Sequence, residues 1–324
     1  MDANRWIARK EANWKTLDKL LAQSEKKGLK SLSAAEIKQL ASLYRSVSAD
    51  FAKAKTNNLG NTLIQELQAL TARGYTQVYQ GSRHQEWQKA KEFYLWGFPQ
   101  VVRETASYTA IATAIFLLLA LIGWWYVWRD PVFLDLAVPQ SLIEKVRDRG
   151  ELWMGSIVGN EPLASSGIMT NNLGVAFKAV SGGATAGLIT IYIMALNGLH
   201  IGTIGALVTQ NNLGYPFWAF VVPHGALELP AIFLAGGAGL LIGKAMVFPG
   251  QYRRIDAIKI NGQKAAQLVL GIIPILVIAG IIEGFFSPHP AVPNAVKYLA
   301  GLLIFGLFIL YLSRQKKLEV TKYS

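Results

Sequence analysis

Two kinds of hydrophobic pattern divide this chain. Up to about residue 100, apolar positions recur at helical spacing among charges. In SLSAAEIKQLASLYRSVSADFAKAK, Ser33 and Glu36 have capping-box spacing, and Ile37, Leu40, Leu43, Tyr44 and Val47 then repeat along one helix face. This predicts an amphipathic helix, preceded by one over residues 3–23 that closes at EKKGLK and followed by one over 61–78. The next stretch, HQEWQKAKEFYLWGFPQVVRE, mixes Trp87, Phe93, Tyr94, Trp96 and Phe98 with Lys89, Lys91 and Arg103. Rings beside cations suit a headgroup layer, so an interfacial helix turned by Gly97 and Pro99 is expected, with a fourth bundle helix as the alternative.

From residue 106 the pattern becomes continuous. ASYTAIATAIFLLLALIGWWYVW carries no charge over 23 residues and ends in a Trp/Tyr belt, enough to cross about 30 Å of hydrocarbon. Residues 129–170 form a polar loop in which six anions outnumber four cations, which places it outside the cell. Apolar sequence then runs from residue 171 to about 247, interrupted at Asn197/Gly198 and at NNLGYPF, and returns at 265–286 and 295–313. Residues 199–210 make only about 18 Å of helix. They either merge into a kinked span or form a half-helix that folds back. NNLG occurs at Asn171 and again at Asn211, as a trace of duplication or as two helix-entry turns.

Charge orients these elements. The formal net charge is +12, with seventeen Lys/Arg against ten Asp/Glu up to residue 104, and further excess in 244–264 and in the tail. Cations gathered beside apolar segments point to the cytoplasmic side and to the lipid bilayer, with no nucleic-acid partner expected. If the N-terminal region, the 244–264 loop and the tail all lie inside, the crossings are even in number, and six are predicted. A re-entrant 199–210 would leave five and move Arg253, Arg254 and Lys259 outside. The reading is an all-α, polytopic helical membrane protein with about six membrane segments, one short or broken. Its domains are a cytoplasmic helical bundle with interfacial helix (1–104), a transmembrane domain (105–313) and a cytoplasmic tail (314–324). The first residues lack an apolar signal region, so the first membrane segment is expected to direct insertion.

The candidate chemistry is sparse. Cysteine is absent, which excludes disulfides and thiolate sites, and no phosphate loop or GxSxG elbow occurs. The apolar blocks hold Lys178, His200, His224, Glu228 and Glu283. A charge at the bilayer centre costs about 2.5–3.5 kcal/mol, so such residues face protein or water. Lys178 and Glu283 lie near segment ends and are expected to snorkel. His224 and Glu228, four apart, share a helix face. They fit a proton relay or base pair and equally an interhelical lock. With no second histidine as in HExxH, no metal and no cofactor are expected. GxxxG spacings at Gly183/Gly187, Gly198/Gly202, Gly239/Gly243 and Gly280/Gly284 fit a homodimer seam or packing inside one chain.

GFPQVVRE before the first span, NN…AF…GG…G in the second, NG with a following Gly, and PHGALELPAIFLAGGAGLLIGKA together resemble the stage II sporulation protein M family over about residues 90–313. By position, Phe98, Pro99, Arg103, Asn171, Asn172, Asn197, His224, Gly225 and Glu228 match its polar or turn residues. The resemblance implies a multi-pass cytoplasmic-membrane protein that organises cell-envelope partners and is not itself a hydrolase. The alternative is a transporter or intramembrane enzyme using the His224/Glu228 pair in a cavity between helices broken near Asn197 and Pro223.

Overall fold

The computed structural model describes residues 3–316; of the expected tail, residues 317–324 lie outside the described range. The chain divides into two compact units, Met1–Glu92 and Phe93–Ser324, and is helical throughout the described residues.

The first unit contains α1 (Ala3–Lys27), α2 (Ala34–Thr56) and α3 (Asn61–Glu92). α2 starts where the capping box predicts: the Glu36 amide donates to Ser33 Oγ and the Ser33 amide to Glu36 Oε2. The Ser33 amide first, and its hydroxyl second, hold the Glu36 carboxyl below its ordinary range. The helical stripe of α2 meets Trp6, Trp14, Leu17 and Leu21 of α1 and Leu67 and Leu70 of α3 in a core of its own. Buried Asp50 is satisfied by Trp14 Nε1 at 3.1 Å and by Lys10 at 3.2 Å, as a charge taken from water requires. Arg73 grips both oxygens of Glu25 at 2.9 Å and adds Asp18 at 2.6 Å. α3 continues well beyond the expected end near residue 78.

The aromatic stretch after Glu92 belongs to the second unit. A π-helical turn at Phe93–Gly97 leads into α4 (Phe98–Glu104). Gly97 has helical dihedrals (φ −66, ψ −46), so the chain does not turn there as expected, and Pro99 sits in a first helical turn where its missing N–H is harmless. Then come α5 (Ala106–Arg129), short α6 (Pro131–Ala137) and α7 (Gln140–Ile143), α8 (Glu161–Ser181), α9 (Leu188–Gln210), α10 (Gly214–Val247), α11 (Arg254–Ile281) and α12 (Asn294–Leu312).

α5, α9, α10, α12 and α11 with its extension to Phe286 are each long and apolar enough to cross a bilayer, and the chain is a multi-pass membrane protein. Of the two interruptions expected in 171–247, the one at NNLGYPF is the α9–α10 turn and the one at Asn197/Gly198 is absent, while a further break occurs elsewhere. That break falls at 182–187, where Ala186 (φ 57) and Gly187 (φ 86) are left-handed. Residues 199–210 are therefore the second half of a continuous α9, and neither Asn197 nor Pro223 interrupts a helix. The two NNLG copies differ: the first lies inside α8, away from any helix entry, and the second is the α9–α10 turn, with Asn212 at φ 58.

Helix direction follows from the glycine contacts. A Cβ on Gly198 would strike the Phe116 carbonyl and one on Gly202 the Ala120 carbonyl, so α5 and α9 run parallel with backbones touching. The intervening chain must return, and α8 makes that passage within the unit, beside the five helices that are apolar enough to cross. α8 is 21 residues long, about 31 Å, but Ser165, Ser166, Thr170, Asn171, Asn172 and Lys178 dilute its apolar character. Gly183 lies against the Gly239 carbonyl, Gly243 against Gly187, Gly280 against Met169 and Gly284 against Ser165. The GxxxG faces are thus used within the chain.

One face of this unit is held by charge. Lys264 pairs with Glu104 at 2.8 Å, and Lys264 first, then Gln100, keep the Glu104 carboxyl below its ordinary range. Arg103 Nη1 donates to the Leu312 and Arg314 carbonyls at 2.9 and 2.7 Å, capping the negative end of α12. At the opposite face, the segment expected as a polar loop packs Leu134, Ile143, Val146, Met154 and Ile157 onto α9 and α10.

Gly202→Val has only backbone to displace, so it should cost at least about 3 kcal/mol, the upper end of overpacking penalties, and lower Tm in nanodiscs. Gly306→Ala, with nothing within 4 Å, should leave Tm unchanged. In the first unit, Ser33→Ala should cost about 1 kcal/mol, read as faster amide exchange in the first turn of α2 in the full-length chain. The Glu36 contribution is complete above the ordinary carboxylate range and is lost as pH falls through the lowered value. Glu36→Gln should therefore speed that exchange at neutral pH and make no difference in strong acid.

Candidate functional site

α10 carries His224 and Glu228 on consecutive turns of one face, as the spacing predicts, but they are not each other's hydrogen-bond partners. His224 is buried (5% exposed) and edge-on to the Phe220 ring, with centroids 5.1 Å apart. Its Nδ1 lies 3.1 Å from Ser287 Oγ and its Nε2 lies 3.8 Å from Glu283 Oε1. The expected His/Glu pair is therefore a cluster of His224, Glu228 and Glu283, whose donor atoms all lie within 4.8 Å of one another. Glu228 Oε2 and Glu283 Oε2 are both buried and have no hydrogen-bond partner among the described residues.

Glu283 does not snorkel. At the end of α11 the helix widens into a π turn, Ile282–Phe286, closed by the Ser287 amide on the Ile282 carbonyl at 2.9 Å. The inserted residue rotates the helix face, and both Glu283 and Ser287, one turn apart, meet His224 of α10. Such turns frequently occur at functional sites. Nothing in the hydropathy of IIEGFFSPHP separates this turn from a fraying helix end, so sequence reasoning missed it. Lys178, by contrast, is exposed, and it lies in the last turn of α8 and not early in its segment as expected.

The cluster forms one wall of a cavity of about 540 Å³ reached also by Asn171, Asn172, His200, Gly167 and Gly225. Asn172 is buried, and its Oδ1 accepts from Asn171 Nδ2 at 3.3 Å. Gly225 keeps the cavity open, since its face bears no side chain. His200, at the middle of α9, is a residue that the sequence reading does not join to the pair. Asn197 stands apart: its side chain donates to the Ile193 carbonyl at 2.8 Å and lines a neighbouring cavity with Phe133 and Thr203. Phe98, Pro99 and Arg103 do not enter the site. Phe98 is fully buried against Gly271, Pro99 is buried beside it, and Arg103 holds the end of α12.

The polar residues of this cavity lie inside a stretch with known relatives. The sequence model of the family described as Stage II sporulation protein M matches residues 112–288, more than half of the chain. The chain belongs to this family. The stage II sporulation protein M match contains the whole cluster and both asparagines, while Phe98, Pro99 and Arg103 precede it. A second model, described as a domain of unknown function, matches residues 4–80. An uncharacterized protein of Methanocaldococcus jannaschii, MJ0793, is 27% identical over 151 residues, which cover 46% of this chain and 83% of that protein. No solved structure matches.

Because the chain has no cysteine, water access is directly measurable. Asn171→Cys and His200→Cys should react with a charged thiol reagent in nanodiscs. Ala238→Cys, at a fully buried position of α10, should stay unlabelled.

Proposed function

We propose that this protein is an integral-membrane organiser of the cell envelope, set in the cytoplasmic membrane with both termini inside. The observation that carries the reading is the division into two separately cored parts: a charged three-helix unit built for water precedes a helical unit built for lipid. That is the construction of a docking domain on an anchor. In this reading residues 1–104, the 244–264 loop and the 314–324 tail face the cytoplasm, where their excess of Lys/Arg belongs. The membrane domain spans 105–313. The acidic segment between α5 and α8 faces outward, and envelope proteins are the partners of both surfaces.

A second reading has a specific observation in its favour. An organiser needs no unpartnered buried carboxylates beside a cavity, whereas a transporter or intramembrane enzyme does. Here His224, Glu228 and Glu283 would receive a solute or a proton from the Asn171/His200 side of the cavity. Polar groups in a membrane interior are expensive unless they serve a ligand, a proton path or a partner.

Single-cysteine labelling in intact cells tests the orientation: Asp148→Cys should label from outside and Lys244→Cys only after permeabilisation, and the reverse pattern would refute it. Glu228→Gln separates the two readings. Under the organiser reading, folded Glu228→Gln protein supports normal partner assembly and pathway output; under the cavity reading, output falls by at least about tenfold while assembly stays normal.

A further inference from the structure

We infer that His224, Glu228 and Glu283 bind one divalent transition-metal ion of the zinc class. The inference shares its cavity with the second reading above but requires neither transport nor catalysis.

Three observations converge. First, one imidazole nitrogen and carboxylate oxygens from two helices lie within 4.8 Å of one another. Ligand bonds of about 2.0–2.2 Å set tetrahedral donor separations near about 3.3 Å. The 3.8 Å between His224 Nε2 and Glu283 Oε1 closes to that by small side-chain movement. Second, Glu228 Oε2 and Glu283 Oε2 are buried with no hydrogen-bond partner among the described residues. Two carboxyl groups this close repel unless a proton or a cation stands between them, and the cluster contains no lysine or arginine to supply the charge. Third, the histidine is already oriented. Ser287 Oγ, fully buried, lies 3.1 Å from Nδ1, and the tautomer with its proton on Nδ1 turns the Nε2 lone pair to the carboxylates. A metal-bound histidine requires such an outer partner.

The donor set selects the ion. Imidazole with two carboxylates suits zinc and its neighbours. Calcium calls for six to eight oxygens, and magnesium keeps most of its water. Three protein ligands leave a fourth position, which the cavity can fill with water. The site joins α10 to the π turn after α11, so the ion would also fasten these two helices.

The test uses full-length protein in nanodiscs, stripped with chelator and dialysed against zinc, manganese(II), magnesium or calcium. Elemental analysis should find about one zinc or manganese per chain with a raised Tm, and no retained magnesium or calcium. Glu283→Gln, nearly isosteric, should weaken zinc binding by at least about 100-fold, and Ser287→Ala, which leaves every ligand in place, by about 10–100-fold. If Glu283→Gln fails to fold, Glu228→Gln on the other helix carries the same test. Folded wild-type protein that retains no transition metal overturns the inference and leaves a proton shared by the two glutamates; so does unchanged zinc affinity in a folded glutamine variant. Absence of metal together with lost output in Glu228→Gln would remove the ion but keep the cavity reading. Bound metal together with normal output would keep the ion and remove that reading.

Discussion

The membrane unit depends on direct contact between helix backbones. Lipid offers apolar side chains the same surroundings as a neighbouring helix, so association must come from close packing. Gly198 and Gly202 let α9 lie on the carbonyls of Phe116 and Ala120, and Gly239 and Gly243 seat α10 on the ends of α8 and α9. No side chain larger than hydrogen fits at these points. The result is a bundle whose tightest seams are internal, with long apolar side chains such as Leu121, Leu299 and Leu310 left facing outward.

That tightness explains why one loose region stands out. Where α8, α10 and the end of α11 diverge, Gly167 and Gly225 leave space, and Asn172, His224, Glu228 and Glu283 gather around it. Ionisable groups there have no route to bulk water along the helix surface, so they must find partners within the protein or a ligand. His224 finds Ser287 and Glu283; the outer oxygens of the two glutamates find none. At the opposite face, the Lys264–Glu104 pair and the Arg103 cap are only partly buried. They complete hydrogen bonds at helix ends and leave no orphaned atom.

Much of the architecture was legible because it rests on local rules. The capping box at Ser33, the stripe from Ile37 to Val47 and the uncharged run of α5 each follow from periodicity over one helix, and the structure places helices at all of them. The shared face of His224 and Glu228 was legible for the same reason. The break in the second apolar stretch was not. Asn197 looks like an interruption but bonds its own helix's carbonyl, whereas the unremarkable GGATAG contains the left-handed residues.

The sequence alone determined that the later two thirds of the chain lies in lipid, that the first third forms a charged bundle, and that few titratable groups stay inside. Hydropathy and helical spacing are sums over neighbouring residues, and a sequence states these completely. Tertiary structure decided which of those groups meet. Glu283 and Ser287 meet His224 from the π turn that adds one residue to the end of α11 and rotates its last face. That rotation depends on how α11 packs against α8 and α10, which are far away in sequence.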